Sequence, residues 1–434
     1  MKIALINHGC AKNLVDSELL LGLLADKGHS LTLDENEADI VVINTCAFIH
    51  DAEEESVQSI LNSCAAGKKV IVAGCLPQKH KKDLQNAIPE VAAFIGISDL
   101  EKIAEVVDKV AKTDKAIYEI SEKPHYKYPE TTHRAQITVG ASSYLKIAEG
   151  CHFKCGYCII PKLRGDYVSR KLENIIEEAK ELVQKGVAEI VLIAQDTTSW
   201  GIDLYGKPSF PRLLKELEKI ENLEWLRIMY TYPSLVDDEL LDVIAKSKKI
   251  VPYIDIPLQH SHPDVLKRMK RPVSDYRELV KNIRKHIPNV VLRTTFIVGY
   301  PGETEEEFEH LYNFVKDMKF DKMGVFEFCS EKGTYAYSLK NKIKKSVKKE
   351  RREKLLEFQQ KISLEINKSL IGKKLPVIIE AIVENENKVI GRTFRDAPEV
   401  DGLIYIDTDK DLAPTDVVDV LITDANEYDL FGKY

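Results

Sequence analysis

Short apolar segments alternate with helix-like segments along most of this 434-residue chain, and this alternation constrains the fold more than any single motif does. Residues 2–7, 38–46 and 68–75 are apolar and strand-like, whereas the segments between them have the composition of amphipathic helices. Strands that alternate with helices are typical of a parallel α/β sheet. Such a sheet binds its ligands beyond the carboxyl ends of its strands. The sequence therefore predicts an α/β multidomain protein that begins with an open parallel α/β domain over residues 1–115.

A second strand–helix series follows residues 116–136, a polar segment that we interpret as a linker. Six strand candidates lie at residues 144–150, 188–196, 225–230, 253–259, 290–299 and 323–328. They predict a partial (β/α)6 barrel with its chemistry at the carboxyl ends of the strands. This domain spans residues 137–371. It ends in a basic helix over 341–371, which is either a solvated surface or a contact for phosphate.

Residues 372–434 contain short β-like segments, which predict a small antiparallel β-barrel. This segment has 7 Lys and Arg against 14 Asp and Glu, and it carries the whole net charge of −7, because the rest of the chain has 55 of each sign. A barrel that binds RNA needs cations to displace counterions from phosphates. The acidic composition favours a basic protein as the partner instead.

No apolar run approaches the roughly 18 residues that a membrane span needs. The first ten residues, MKIALINHGC, have too short an apolar segment for a secretory signal. We therefore expect a cytoplasmic monomer without a membrane partner. In a reducing cytosol, cysteines bind metals or take part in chemistry more often than they form disulfides.

Three of the eight cysteines, Cys151, Cys155 and Cys158, lie within eight positions, and we call them the loop trio. Structural zinc needs four ligands, and no fourth ligand lies at a suitable spacing, since His152 is adjacent to Cys151. Three thiolates suit a 4Fe–4S cluster, which they would hold while leaving one iron open. Zinc and ordinary core cysteines remain the alternatives.

The segment CHFKCGYC, residues 151–158, resembles the CxxxCxφC signature of radical S-adenosylmethionine enzymes, with Tyr157 at the aromatic position. The resemblance implies that the open iron chelates the amino and carboxylate groups of S-adenosylmethionine. It also implies that reductive cleavage of this cofactor gives a 5′-deoxyadenosyl radical.

A second segment, VGYPGETEEEF at residues 298–308, resembles the GxPGE segment of the same family. The resemblance implies that Gly299, Gly302 and Glu303 lie near the cofactor. The local pattern has a plainer meaning as well, because Thr304 followed three residues later by Glu307 predicts a capping box at the start of a helix.

A second group, Cys10, Cys46 and Cys75, follows the three strand candidates of the first domain, and we call it the N-terminal trio. Parallel strands would bring these cysteines together at one edge of the sheet. We interpret them as ligands of a second 4Fe–4S cluster with its own open iron, although buried cysteines are also common in cores. Cys64 and Cys329 do not share this placement, and we expect them to be structural.

Two open clusters in one chain, together with the three predicted domains, resemble the methylthiotransferases over the whole length. That family has an N-terminal cluster domain, a radical S-adenosylmethionine core and a C-terminal TRAM domain, an OB-like β-barrel. The resemblance implies two molecules of S-adenosylmethionine per turnover. One methylates sulfur held by the second cluster, and the other generates the radical that activates a carbon atom. An external electron donor and a sulfur source would also be needed.

Two branches of this family modify different substrates. GCAKNLVDSE at 9–18, AQDTTSWGIDLYG at 194–206 and APEVDG at 397–402 resemble the ribosomal-protein branch, the RimO type. This resemblance implies methylthiolation of the β-carbon of an aspartate in ribosomal protein S twelve, a basic partner, either free or in the small ribosomal subunit. Glu399 and Asp401 are candidate contacts for that partner.

The transfer-RNA branch, which modifies adenosine, is the alternative. Its members tend to have GCQMN at the first motif, where this chain has Ala11 and Lys12. The basic residues 344–352 would favour it. A third hypothesis is an iron–sulfur module that tethers partners without any chemistry.

Overall fold

The structure is a computed structural model that describes residues 1–126, 128, 134–137, 140–384 and 386–434. Its contacts divide the chain into two compact units. The first unit contains the described residues of 1–138 together with 148–154 and 158–170, and the second contains those of 139–147, 155–157 and 171–434. Every helix in the described part of the chain is too short or too polar to span a membrane.

A six-stranded, wholly parallel sheet forms the centre of the first unit. Its strands are β1 (Lys2–Asn7), β2 (Ser30–Thr32), β3 (Ile40–Thr45), β4 (Lys69–Gly74), β5 (Ala93–Gly96) and β6 (Ile117–Glu119). They lie in the order β2–β1–β3–β4–β5–β6, and each pairing is parallel. The predicted open parallel α/β domain is therefore confirmed. The segment interpreted as a linker begins with β6, and part of it, residues 127 and 129–133, lies outside the described residues.

Helices cover both faces of this sheet. They are α1 (Ala11–Asp26), α2 (His50–Ala65), α3 (Cys75–His80), α4 (Lys82–Ala87) and α5 (Ile103–Val110). The central strand β3 is buried along its full length. Its alternate side chains enter two separate cores, with Val42 in one and Val41 in the other. A strand with two covered faces explains why residues 40–43 form a continuous apolar run instead of an alternating one.

The second unit contains another parallel sheet of six strands, in the order β7–β10–β11–β12–β13–β14. The strands of this part of the chain are β7 (Ser142–Lys146), β8 (Ala148–Glu149), β9 (Val168–Ser169), β10 (Glu189–Ile193), β11 (Trp225–Ile228), β12 (Ile250–Asp255), β13 (Val291–Val298) and β14 (Lys322–Glu327). The pair β8 and β9 forms a small antiparallel sheet within the first unit. The six parallel strands confirm the predicted (β/α)6 series.

Helices follow most strands of this part of the chain, and the first of them, at residues 160–163, belongs to the first unit. They are α6 (Ile160–Leu163), α7 (Leu172–Gln184), α8 (Ile202–Tyr205), α9 (Phe210–Leu217), α10 (Asp238–Lys246), α11 (Pro263–Arg268), α12 (Tyr276–His286), α13 (Glu305–Met318) and α14 (Lys345–Lys368). The predicted basic helix is α14. The predicted capping box is present at the start of α13, where Thr304 and Glu307 each accept the other's backbone N–H.

One predicted strand is displaced along the chain. Residues 253–259 were expected to form it, but β12 ends at Asp255. Pro257 has no backbone N–H and cannot donate to the ladder, so the chain leaves the sheet there. It returns only for a single bridge between Gln259 and Phe296.

The C-terminal segment forms a closed five-stranded barrel, as predicted. Its strands are β15 (Lys374–Ile382), β16 (Lys388–Thr393), β17 (Ile404–Asp407), β18 (Val417–Ala425) and β19 (Leu430–Lys433), in the order β15–β16–β17–β19–β18. The pairing of β17 with β19 is parallel and the other four are antiparallel. The prediction of a wholly antiparallel barrel is therefore wrong for the pair β17 and β19. The chain leaves β17, forms β18 on the far side of β19, and then returns as β19 in the same direction as β17.

Buried ion pairs attach this barrel to the parallel sheet of the same unit. Glu189 at the start of β10 accepts hydrogen bonds from Arg227 and Arg392, each at 2.6 Å. Asp401, a candidate partner contact, instead accepts a hydrogen bond from the Tyr253 hydroxyl at 2.6 Å, and its side chain is only 3% exposed. That interpretation was wrong for Asp401, because its carboxylate belongs to the interior of the second unit.

Candidate functional sites at two cysteine trios

The structure gathers the N-terminal trio at the carboxyl ends of three neighbouring strands. Cys10 precedes α1, Cys46 follows β3, and Cys75 begins α3 directly after β4. The thiols are close enough to interact electrostatically: Cys46 and Cys10 both raise the pKa of Cys75. Their convergence, expected from the strand ends, follows from the order β1–β3–β4 within the sheet.

Two glycines allow the backbone to approach this closely. Gly9 has φ +104°, and a Cβ there would lie 2.9 Å from the Cβ of Cys46. Gly74 has φ +97°, and a Cβ there would lie 2.4 Å from the Oδ1 of Asn44. Contacts under 3.0 Å do not occur for real Cβ atoms, so both positions require glycine for space as well as for backbone conformation.

Asn13 lies between two of the three sulfur atoms. Its Oδ1 is 3.9 Å from the sulfur of Cys10 and 4.0 Å from that of Cys75. Its Nδ2 donates to the carbonyl oxygens of His8 and Thr45, each at 3.0 Å, and these bonds fix the orientation of the amide. The sequence motif contained Asn13, but its role depends on contacts that only the fold creates.

The three thiols have different electrostatic environments. Burial raises the pKa of Cys75 to about 11, although the charge of Arg164 opposes that shift. Burial also raises the pKa of Cys46. Desolvation acts in the same direction on Cys10. The charges of Lys12 and Arg164, together with hydrogen bonds from the backbone N–H groups of Asn13 and Lys12, outweigh it and hold the pKa of this thiol below its ordinary value. Metal ligation must therefore overcome the cost of ionising Cys46 and Cys75.

The geometry of the N-terminal trio suits a cluster better than a single ion. In the described part of the chain, the groups whose ligand atoms all lie within 4.8 Å of one another contain no cysteine. Tetrahedral zinc requires ligand atoms closer together than that, since each lies only about 2.3 Å from the metal. Three converging but more widely spaced thiols fit a 4Fe–4S cluster, in which each thiolate binds a different iron.

The loop trio is divided between the two compact units. Cys151 and Cys158 belong to the first unit, and Cys155 belongs to the second. In the first unit, the N–H of Cys151 donates to the carbonyl oxygen of Gly165 at 3.2 Å. The three cysteines are therefore held by different parts of the fold, although they are neighbours in sequence.

Within the second unit, Gly156 fixes the loop beside Cys155. Its N–H donates to the carbonyl oxygen of Met269 at 2.7 Å, and its own carbonyl accepts from the N–H of Ala336 at 2.7 Å. A Cβ at this position would lie 2.9 Å from the hydroxyl of Tyr300. Tyr157 packs against the apolar cluster that includes Met269 and Tyr300.

A buried arginine lies against this loop. Nη1 of Arg271 is 3.8 Å from the sulfur of Cys155 and 3.5 Å from the hydroxyl of Tyr157. Its Nη2 donates to the carbonyl oxygen of Pro257 at 2.8 Å. Sequence reasoning missed Arg271, because the 116 residues between it and Cys155 give no local signal of the contact.

The GxPGE-like segment is tied to its own neighbours. Gly299 and Gly302 have φ +73° and +79°. The carboxylate of Glu303 is fully buried, accepts the N–H of Gly299 at 3.0 Å and accepts from Arg351 at 2.6 Å. Burial raises the pKa of Glu303 despite these partners. The residue of this segment that touches the cysteine loop is Tyr300, which was not predicted.

A second buried arginine, Arg164, lies against the N-terminal trio. Its Nη2 donates to Oδ1 of Asn13 at 2.6 Å and lies 3.5 Å from the sulfur of Cys75. Its Nη1 donates to Glu149 at 2.7 Å and to Asp16 at 3.3 Å. Arg164 lies six positions after Cys158, and no motif indicated that it would reach the first domain's cysteines.

Three family models match this chain. Residues 2–96 match the uncharacterized protein family UPF0004, residues 145–315 match the radical SAM superfamily, and residues 371–434 match the TRAM domain. Solved structures agree on the fold. The radical S-adenosylmethionine methyltransferase TsrM of Kitasatospora setae has a TM-score of 0.55 at 14% identity, over 75% of this chain and 74% of that one. The cobalamin-dependent enzyme OxsB has a TM-score of 0.53 at 12% identity, over 83% and 56%.

Curated relatives match the whole chain. The ribosomal protein uS12 methylthiotransferase RimO of Thermoanaerobacter sp. (strain X514) is 48% identical, over 100% of this chain and 99% of that protein. The protein of the same name from Lachnoclostridium phytofermentans is 47% identical, over 100% of this chain and 99% of its own length. That of Crocosphaera subtropica is 44% identical, over 99% of this chain and 98% of its own length.

A parallel UPF0004 sheet, a parallel radical SAM sheet and a closed TRAM barrel in one chain define a radical S-adenosylmethionine methylthiotransferase. Identity at this level over essentially the full length is enough to place the chain within one branch. The chain belongs to the RimO family of ribosomal protein uS12 methylthiotransferases.

Proposed function

We propose that this enzyme methylthiolates the β-carbon of an aspartate in ribosomal protein uS12, giving 3-methylthioaspartate. The observation that carries the proposal is the full-length relationship to proteins of that name, at 44–48% identity. The same relationship supports the division into a cluster domain (1–115), a linker (116–136), a radical core (137–371) and a TRAM barrel (372–434). The enzyme would act as a monomer on free uS12 or on the small ribosomal subunit.

The cofactors that we propose are two 4Fe–4S clusters and two molecules of S-adenosylmethionine per turnover. The N-terminal trio would hold one cluster and the loop trio the other. A cluster bound by three thiolates supplies an open iron and an electron for reductive chemistry. The sulfur source and the electron donor would be external.

The residues around each trio orient it. Asn13 and the two glycines of the N-terminal trio fix the positions of its thiols, and Gly156 fixes the loop beside Cys155. Tyr157, Gly299, Gly302 and Glu303 are the residues that we propose lie near S-adenosylmethionine.

Surface charge on the TRAM barrel supports a basic protein substrate. Among the described residues of 372–434, nine carboxylates are exposed, and they are Glu384, Glu386, Glu399, Asp407, Asp409, Asp411, Asp416, Asp419 and Asp424. The two arginines of this segment, Arg392 and Arg395, are instead paired with Glu189 and Asp321 inside the second unit. Its five lysines are exposed, so the described surface keeps an excess of four carboxylates over cations. Such a surface attracts a basic protein and repels a nucleic-acid backbone.

The basic helix α14 gives less support to a transfer-RNA substrate than its composition suggests. Arg351 is buried and bonds to Glu303, and Lys348 donates to the carbonyl oxygen of Phe328 at 2.7 Å. Arg352 donates to the carbonyl oxygen of Val325 at 3.3 Å. Three cations of the 344–352 segment therefore contact the protein itself.

An assay with two separate substrates tests the proposal. The anaerobically reconstituted enzyme, with S-adenosylmethionine and reductant, is given uS12 purified from cells that lack this enzyme, and separately transfer RNA from the same cells. We expect uS12 to gain the mass of one methylthio group at an aspartate and the RNA to remain unmodified. The same enzyme carrying Cys155→Ala is the control. Methylthiolation of the RNA alone would show that the transfer-RNA alternative is right.

A further inference from the structure

The guanidinium of Arg164 connects two segments of the first unit that are far apart in sequence. Its Nη1 binds Glu149, two residues before Cys151, and its Nη2 binds Asn13 beside the N-terminal trio. The residue is 2% exposed. The backbone carbonyl of the next residue, Gly165, accepts the N–H of Cys151. Arg164 therefore lies in the segment that positions Cys151 while its side chain lies at Cys75.

A purely structural ion pair would not need this arrangement. Glu149 at 2.7 Å and Asp16 at 3.3 Å both lie on Nη1, so Arg164 contacts its two carboxylate partners through a single nitrogen. Nη2 is turned away from them, to Asn13 and to the sulfur of Cys75 at 3.5 Å. A donor at that distance is in range of a charge-assisted hydrogen bond to a thiolate.

Asn13 supports the same interpretation. Its Nδ2 is held by the carbonyl oxygens of His8 and Thr45, so its Oδ1 must face the sulfur atoms of Cys10 and Cys75. A carbonyl oxygen repels thiolates. The Nη2 group of Arg164, 2.6 Å from this oxygen, places a positive charge where the repulsion would otherwise be greatest.

We propose that Arg164 is a positioning residue of the N-terminal cluster, which donates to the Cys75 thiolate, stabilises the reduced cluster and retains its iron. The proposal rests on the proposed function, because it requires a cluster at the N-terminal trio. Hydrogen bonds and positive charge at ligating sulfurs raise the reduction potential of a cluster. The positive charge of Arg164 thus favours the reduced cluster, which carries one more negative charge than the oxidised cluster.

The test uses the full-length chain with Cys151, Cys155 and Cys158 replaced by alanine, so that any cluster signal comes from the N-terminal trio. In this parent we expect Arg164→Gln to lower the midpoint potential in a redox titration followed by electron paramagnetic resonance, to change the g-values and to reduce the iron bound. Arg164→Lys should shift the potential in the same direction by less, because the two carboxylates hold its single ammonium away from Cys75.

Arg134→Lys is the matched control. Arg134 is also buried in the first unit, but it pairs at 2.6 Å with Glu18, which lies eight residues after Cys10 along α1, about 12 Å at a rise of about 1.5 Å per residue. It should leave the potential at the parent's value. A potential and g-values unchanged in Arg164→Gln, or in Arg164→Lys if the glutamine variant does not fold, would overturn the proposal. A parent without iron would overturn both this proposal and the two-cluster function.

Discussion

The two cysteine trios are built in opposite ways. The N-terminal trio is assembled by the fold: its members follow three strands that are adjacent in the sheet, and glycines and Asn13 bring their thiols together. The loop trio is close in sequence, but its members are anchored to different compact units. In each trio a buried arginine lies near one sulfur, Arg164 at Cys75 and Arg271 at Cys155. Spacing alone identifies one trio, whereas topology creates the other.

The largest expected effect separates the chemistry of the two trios. Cys155→Ala should abolish 5′-deoxyadenosine formation from S-adenosylmethionine and reductant. Cys75→Ala should retain that product and lose methylthiolation, because it lacks only the cluster that we propose to carry sulfur. Each variant should bind about four irons where the wild type binds about eight. Equal loss of 5′-deoxyadenosine in both variants would show that the trios do not have separate roles.

Glu189, a buried carboxylate outside both trios, provides a contrast with the cysteines. Replacing it should lower the stability of the fold without changing the iron content. The charges of Arg227 and Arg392 overcome the effect of burial and lower the pKa of Glu189 to about 2. Removing one partner of such a pair costs about 3–5 kcal/mol, so Glu189→Gln should lower the free energy of unfolding by that amount at pH 7.

This stabilisation depends on pH in a defined direction. Because the pKa of Glu189 is lower in the folded state, its contribution is complete above the unfolded value of about 4.3 and decreases as the pH falls toward 2. Urea unfolding at pH 7 and at pH 3 should show the wild type's advantage over Glu189→Gln decreasing. A difference in unfolding free energy that stays constant between pH 7 and pH 3 would contradict the lowered pKa of Glu189.

The glycines at the N-terminal trio test whether the fold assembles it. Gly74→Ala places a Cβ 2.4 Å from the Oδ1 of Asn44, whereas Gly28→Ala, also at positive φ, has nothing within 4 Å. Alanine at Gly28 costs about 1–2 kcal/mol of backbone strain. Gly74, with φ +97° and ψ −140°, lies near a region that glycine almost alone adopts, where the cost is about 1–3 kcal/mol. Only Gly74→Ala adds the close contact with Asn44, so only it should reduce the iron bound as well. Chemical denaturation and iron analysis measure the two effects. Equal results for both variants would mean that close packing beside Cys75 is unimportant.

The smallest effects are expected at the two cysteines outside the trios. Cys64 packs against an apolar core of the first unit, and Cys329 is exposed. Cys329→Ser should change the free energy of unfolding by less than about 0.5 kcal/mol, and Cys64→Ser by little more. Both variants should keep the wild-type iron content and 5′-deoxyadenosine yield. A loss of iron in either would show that the ligand sets have been assigned to the wrong cysteines.

Much of the fold could be predicted because its signals are local. The alternation of strands and helices indicated two parallel sheets, and the Thr304–Glu307 capping box was evident from spacing alone. The predictions that failed concerned the end of one strand and the exposure of one carboxylate, which the neighbouring sequence alone does not determine. Pro257 ended β12 early, and Asp401, which looked like a surface acid, is buried against Tyr253.

The sequence by itself determined which residues could carry the chemistry, because cysteine spacing, strand ends and glycine-rich turns follow from short-range geometry. Only the tertiary structure decided what surrounds those cysteines. Arg164 and Arg271 lie 89 and 116 residues from the sulfurs that they approach. Electrostatic interactions depend on distance in space, and chain separations of this size leave no periodic or compositional trace from which that distance could be read.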